Sequence, residues 1–436
     1  MRWNAAWRSG PLSLASFRLL TAGQLTSNIG DYCYAVALPW LVLSGHGSTV
    51  LLGALLACYG VPRTVLILVG GMLADKISPR TTMLIADGSR CVFVAVFTVL
   101  AARHTVSLAA LGPLAALIGA GEGLFIPASF AILPSLLDSE ALMAGNAFFG
   151  AGQQTGSLIG PAVGGALVAG FGPVPALAVD AATFGLSALM LALIRPAPVP
   201  VSPVPASPAA PAGPQAETAG AAPDYALGSS AAAGGVLELL RTSRALPTLL
   251  VISLAANLAG AGLSEVALPD LAHQRWAASG YGALLTCLAV GSLLGTLSAA
   301  KAGGLRRPMV VTAILFVAMS AALGLVPYLG GLAGAAAAML VWGLCNGLGN
   351  TIDMPALQRA VPARLLGRTM SVLMLCSFGT APLSVLVAGV LVRRIGPSPF
   401  FPIAAALVAV AVLAGLTQRE WRDFGACLTA DLRLPS

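Results

Sequence analysis

Charge is what this sequence has least of. Asp, Glu, Lys and Arg together supply 9% of its 436 residues against 57% hydrophobic ones, and lysine occurs only at Lys76 and Lys301. A water-soluble fold of this length needs a more polar exterior, so the mean hydropathy of +0.89 excludes one. The seven cysteines are scattered with no pair at metal-ligand spacing, and packing as small apolar side chains accounts for them. There is no phosphate-binding glycine loop followed by Lys-Ser or Lys-Thr, no segment long enough for a soluble nucleotide-binding domain, and no nucleophile elbow. These absences argue against ATP-driven work within the chain and against an enzyme, and they call for neither cofactor nor metal.

Long apolar runs are what the chain has instead. They lie at about 19–43, 49–74, 81–102, 107–131, 142–168, 174–194, 247–270, 281–300, 309–328, 332–356, 369–392 and 399–417, each near the length that crosses a bilayer as a helix. Helices satisfy their own backbone polar groups, whereas membrane barrels use short alternating strands. The expected fold is an all-α polytopic membrane protein of twelve transmembrane helices in two six-helix pseudo-repeats. With the N-terminus inside, 17 Lys and Arg fall in cytoplasmic segments and 4 in outer ones, while Arg63 and Arg90 lie within spans. Both termini are therefore expected in the cytoplasm of a cell-membrane protein. The net charge of +7 and the pI near 9.3 follow from that topology, so nucleic acid is not an expected partner. Residues Met1 to Arg18 lack an apolar stretch ending in a cleavage-type sequence, and the first span is expected to direct insertion itself.

Between Arg195 and Gly235 the apolar runs give way to Ala, Pro, Gly and Ser, with eight prolines from Pro196 to Pro214. The expected organisation is a six-helix bundle at 1–194, a cytoplasmic linker at 195–244, a second bundle at 245–418 and a cytoplasmic tail at 419–436. The halves share traces of repetition. Gly53-Ala54-Leu55-Leu56 and Gly282-Ala283-Leu284-Leu285 each open the second span of a half, and Pro79 and Pro308 follow 26 positions after the two glycines.

After the second span stands Gly71-Met72-Leu73-Ala74-Asp75-Lys76-Ile77-Ser78-Pro79-Arg80, a tight turn in which an acid is followed by two bases. This segment resembles the loop signature G-x-L-A-D-R-x-G-R-K of the major facilitator superfamily (MFS), with Ser78 and Pro79 departing from it. The resemblance implies a gating latch formed by Gly71, Asp75, Lys76 and Arg80, with Arg368 facing it at the entry to the eleventh helix. In the fifth span Gly156, Gly160, Pro161, Gly164 and Gly165 fit every fixed position of G-x-x-x-G-P-x-x-G-G, which resembles the antiporter signature of drug exporters in that superfamily. Glycines four apart leave a groove for a neighbouring helix, and Pro161 introduces a kink. The branch most resembled is the twelve-helix efflux branch that includes macrolide and siderophore exporters. One departure stands in the fourth span, where Gly119 occupies the place of the usual arginine and Glu122 offers a different proton site.

A charge at membrane depth costs several kcal/mol unless it is paired, wet or neutralised. Nine such residues lie within the spans: Asp31, Arg63, Asp87, Arg90, Glu122, Asp180, Glu265, Asp270 and Asp353. The resemblance implies that the first, fourth, seventh and tenth helices line a central cavity. Those helices carry Asp31, Glu122, Glu265 with Asp270, and Asp353. Gln24, Asn28 and Asp31 fall at i, i+4 and i+7, and Asn346, Asn350 and Asp353 repeat the spacing, so each set marks one helix face that lines water or joins helices. These eight, counting Glu122 and Glu265, are the candidate substrate and proton residues. Asp87 and Arg90, three apart, form an expected structural charge pair that Arg63 joins. Asp180 is open to either reading, and Asp270 and His273 are expected at a solvated helix end.

These readings converge on a secondary exporter that moves an amphipathic small molecule, cationic or neutral, in exchange for protons, working as a monomer in the lipid bilayer. Two rivals share the fold: a lipid or lysolipid translocator, and a non-transporting sensor or scaffold. Arginine outnumbers lysine 21 to 2, which suggests a GC-rich genome and export of a home-made metabolite.

Overall fold

The computed structural model describes residues 10–45, 47–74, 77–194, 245–299, 308–360 and 379–418. The expected linker and tail, and Asp75, Lys76 and Arg368, lie outside the described residues.

Twelve helical segments among the described residues follow the order of the expected spans. They are α1 (Ala15–Ser44), α2 (Thr49–Ala74), α3 (Pro79–Ala102), α4 (Leu108–Ala131), α5 (Ser139–Phe171) and α6 (Pro173–Leu193), then α7 in three pieces (Ala245–Gly262, a π-turn Leu263–Ala267, and Leu268–Arg275), α8 (Ala277–Ala299), α9 (Pro308–Leu325), α10 (Gly331–Ala360), α11 (Ala381–Ile395) and α12 (Pro397–Leu416). Eight of these are long and apolar enough to cross a membrane: α2, α3, α4, α6, α7, α8, α10 and α12. The helices α1 and α5, at 30 and 33 residues, have the length but are more polar, because α1 carries Gln24, Asn28 and Asp31 and α5 carries Gln153, Gln154 and Thr155. Helices exclude few polar groups if those face other helices rather than lipid.

Local chemistry sets the ends. Ser78 accepts from the Thr81 N–H at 3.3 Å, and Pro79 takes the first helical position of α3, so the two departures from the loop signature start a helix. Between α5 and α6 stands the single residue Gly172, at φ +84°, with Pro173 opening the next helix. Gly396, at φ +81°, and Pro397 repeat that turn between α11 and α12. In both, the glycine N–H closes the helix on a valine carbonyl, Val168 at 3.0 Å and Val392 at 2.8 Å. A left-handed residue followed by proline ends one helix and starts the next with little else. Half a chain apart, the two turns are a second trace of duplication.

Within the first six helices α1 packs on α5 and α6, α2 on α4, and α3 on α4 and α6; among the last six α7 packs on α11 and α12, α8 on α10, and α9 on α10 and α12. The two most extensive contacts between the groups are α5 with α8 and α2 with α11, which correspond to each other six helices on; α1 also touches α7 and α8, and α2 touches α7. Both crossings are glycine on glycine. A Cβ on Gly165 would lie 3.0 Å from the Gly282 Cα, and one on Gly53 would lie 3.4 Å from the Gly389 Cα. Gly53 and Gly282 are the repeated glycines of the two second spans, so the repeat marks the place where backbones of the two groups touch. Both crossings lie toward the end of the bundle where α1 turns into α2. There the large apolar cluster runs through both groups, from Trp40, Leu52 and Leu55 to Leu268, Tyr281 and Val385.

Candidate functional site

A stripe on α1 opens the site. Gln24 is buried, and its Oε1, like Asn28 Nδ2, has no hydrogen-bond partner among the described residues. One turn further, Asp31 is one-third exposed, at 33%, and its Oδ1 accepts from Arg90 Nη2 of α3 at 2.5 Å. Arg90 was expected to pair with Asp87, one turn away on its own helix. That contact is longer, Nη1 to Oδ1 at 3.9 Å, and Asp87 Oδ2 accepts from the Ser187 hydroxyl of α6 at 2.6 Å. The pair expected to be local is therefore a network linking α1, α3 and α6.

Arg63 of α2, in electrostatic range of Asp31 and Arg90, meets a further carboxylate. Its Nε lies 3.1 Å from Glu122 Oε2, and the Tyr59 hydroxyl donates to the same oxygen. Tyr59 and Arg63 are i and i+4 on α2, so one face reaches one carboxylate of α4. The approach depends on α4 having no side chains beside Glu122. Gly119 rests on the Tyr59 backbone, a Cβ on Gly123 would lie 3.1 Å from the Arg63 Cα, and one on Gly121 would lie 2.7 Å from Arg90 Cγ. The arginine missing from the fourth span is thus replaced by two from its neighbours, whose backbone or stem lies against the glycines that stand there.

Glu265 comes from the other six helices. It sits exposed in the π-turn of α7, which touches α1, α2, α11 and α12. The turn has an identifiable cause: the Ser384 hydroxyl of α11 accepts from Gly262 N–H at 2.7 Å and donates to Leu258 C=O at 2.5 Å. It thereby stands between the two groups that an α-helix would bond directly, and the helix resumes with a wider turn. Glu265 lies within electrostatic range of Arg63 and Glu122, so it faces the first six helices rather than lipid. Ser384→Ala is expected to close the Leu258–Gly262 bond and cost about 1 kcal/mol of stability, read as a lower unfolding temperature in detergent and slower exchange of the Gly262 amide.

The remaining candidates are placed less centrally. Asn346 and Asn350 are exposed on α10 and bond to each other at 3.1 Å. Asp353 and Gly71 lie on helical backbone, and their side-chain surroundings are outside what is described. Arg80 donates to the last carbonyls of α6, Leu191 at 2.9 Å and Ala192 at 2.7 Å, so it caps a helix of its own group. The glycine motif of α5 has two faces. Gly156, Gly160 and Gly164 receive Asn28, Tyr32 and Cys33 of α1, whereas Gly165 and the Pro161 carbonyl meet Gly282 of α8. His273 lies in the last turn of α7, partly exposed, and there also bridges the groups: its Nε2 is 3.2 Å from Ser44 Oγ and its ring packs on Trp40, which also stacks on Tyr281.

Paired helical groups meeting along two pseudo-equivalent seams, with ionisable side chains gathered between them at membrane depth, define a multi-pass membrane transporter rather than an enzyme. The Major Facilitator Superfamily sequence model matches residues 20–384, and the chain belongs to that family. It is similar to the multidrug efflux pump Tap of Mycolicibacterium fortuitum, 27% identical over 419 residues that cover 93% of this chain and 95% of that protein. It is also similar to the multidrug efflux pump Tap of Mycobacterium tuberculosis, 27% identical over 440 residues covering 98% and 97%. In fold it is similar to the nucleoside transporter NupG, with TM-score 0.68 at 12% identity over 93% of this chain and 99% of that one. A POT family transporter in complex with 5-aminolevulinic acid gives 0.66 at 12% identity, over 92% and 95%.

Proposed function

We propose that this protein is a proton-coupled exporter of amphipathic small molecules, cationic or neutral, in the cell membrane, with both termini in the cytoplasm and a monomer as the working unit. The observation that carries it is the position of Arg63, ion-paired with Glu122 of one half and in electrostatic range of Glu265 of the other. An arriving cation competes with Arg63 for those carboxylates, and a proton on either carboxylate releases Arg63, so substrate and proton exclude each other at one site. The bundles 1–194 and 245–418 rock about that site, joined by the 195–244 linker. The antiporter-like glycines of α5 and the relatives named multidrug efflux pumps support export as the direction. With the α1–α2 end taken as outer, the two glycine crossings and the Trp40–His273–Tyr281 cluster make this an outside-closed form.

The test is purified protein in proteoliposomes with an imposed proton gradient. Cationic-dye movement that collapses with a protonophore supports exchange; flux of a labelled lysolipid without any dye movement favours lipid translocation, and binding without flux a sensor. The latch has its own test. Asp75→Asn is expected to weaken attraction between the halves by about 1 kcal/mol and favour the cytoplasm-open state, raising accessibility of a cysteine placed at the cytoplasmic mouth. Unchanged labelling would remove Asp75 from the latch.

A further inference from the structure

A carboxyl group that this exchange does not use lies behind Asp31. Asp180 of α6 is 1% exposed, and its Oδ1 has no hydrogen-bond partner. Its position depends on Gly30 of α1, where a Cβ would fall 2.7 Å from that oxygen, so the carboxyl group lies against the backbone beside Asp31. The Thr183 hydroxyl one turn on is committed elsewhere, since its Oγ1 donates to the Asp180 main-chain carbonyl at 2.7 Å. The groups that face Asp180 electrostatically are Asp31, Cys33 and Tyr34 from α1, Asp87 and Arg90 from α3, and Glu122 from α4.

Charge counting then becomes restrictive. Asp31, Asp87 and Asp180 gather around the guanidinium of Arg90, which is 2% exposed and lies 3.8 Å above the Phe184 ring; Arg63 also acts on Asp31 but is paired with the additional carboxylate of Glu122. Fully ionised, the cluster would carry two uncompensated negative charges inside an apolar bundle, which costs several kcal/mol per ion. Asp31 holds the guanidinium, and Asp87 holds the Ser187 hydroxyl and the longer contact to Arg90. Asp180 feels Arg90 only at longer range, with no ion pair among the described residues and no donor on its Oδ1.

We propose that Asp180 is a further proton-exchanging residue of the transport cycle, holding a proton while Arg90 engages Asp31 and passing it to Asp31 when Arg90 turns inward. In that step the O–H bond on Asp180 breaks, one forms on Asp31, and the guanidinium follows the negative charge to Asp180. The net charge of the cluster does not change, which is what permits the step in a low-dielectric core. Asp31, open to the cavity, then discharges the proton there, and the cluster regains one when the cavity faces the other side. The transport role rests on the proton-coupled reading above; the protonation of Asp180 does not.

The experiment is infrared difference spectroscopy on the full chain in vesicles, with proton-driven flux and substrate counterflow measured on the same preparations. Wild-type protein at neutral pH is expected to show the C=O stretch of a buried carboxylic acid. Asp180→Asn is expected to lose that band and proton-driven flux while keeping counterflow, and Asp180→Glu to restore a shifted band and part of the flux. A band that persists unchanged in Asp180→Asn, or proton-driven flux equal to wild type in that variant, would overturn the proposal. If Asp180→Asn fails to fold, the glutamate variant decides: an unshifted band places the proton elsewhere. A wild type that shows the band but no proton-driven flux would sink the exchange function and with it the transport role, while leaving the protonated carboxyl assigned.

Discussion

Asp31→Asn is expected to reduce proton-driven efflux to the level of protein-free vesicles, with Glu122→Gln producing the same loss from the other side of the cavity. The two failures should differ in kind. Asparagine at 31 keeps an oxygen for Arg90 Nη2 but removes the charge, leaving the buried guanidinium to Asp87 at 3.9 Å and to the rest of its cluster. Removing one charge of a buried pair commonly costs about 3–5 kcal/mol, so the variant should also unfold at lower temperature. Glutamine at 122 keeps an acceptor for the Tyr59 hydroxyl and frees Arg63 to turn toward Glu265, so its stability should change less and its affinity for a cationic substrate should fall. Flux in proteoliposomes, dye binding and thermal unfolding separate these outcomes. Wild-type coupled flux in both variants would remove the two carboxylates from the mechanism.

Gly165→Leu is the second variant with a large expected effect. The side chain would be driven into Gly282 where α5 crosses α8, a contact with no room for a Cβ without displacement. Overpacking of this kind costs about 1–3 kcal/mol, and it falls only on the state in which this end is shut. A bias of that size moves a two-state equilibrium by about 5–150-fold, toward the form open at the α1–α2 end. Distance measurements between spin labels on the α1–α2 and α7–α8 turns should report the shift, and exchange should collapse while protons leak. Gly160→Leu serves as the contrast. A Cβ on Gly160 would lie 2.6 Å from Tyr32 Cβ inside its own half, so leucine there should lower stability without selecting one state. Identical state distributions in the two variants would mean that the motif packs passively.

The fold was readable because membrane spans announce themselves one at a time, by length and hydropathy, without knowledge of their neighbours. Partners were not readable, because they depend on which helices touch. Arg63 was assigned to Asp87 and Arg90 from depth alone, but the α2–α4 seam presents it to Glu122. Asp31 was recognised as a midspan charge and its guanidinium was not, since Arg90 lies 59 residues on and reaches α1 from α3. The π-turn at Glu265 is caused by Ser384, 122 residues beyond the amide it accepts from, and no local pattern in α7 foretells it. Asp180 stayed undecided because a single acid in an apolar span has no stripe to orient it. The glycines of α4 were the missed signal: Gly119, Gly121 and Gly123 around one glutamate announce that side chains or backbone from neighbouring helices must press close there.

The one-residue turns at Gly172 and Gly396 have a mechanical consequence. Each ties a helix that touches the opposite half, α5 or α11, to a partner that packs only within its own half, α6 or α12. A joint this short transmits tilt instead of absorbing it, so α5 cannot swing without hauling α6, and with α6 go Asp180 and Ser187. Movement at the seam between the halves is thereby geared directly to the buried acid of α6 and its serine neighbour, with no separate messenger needed.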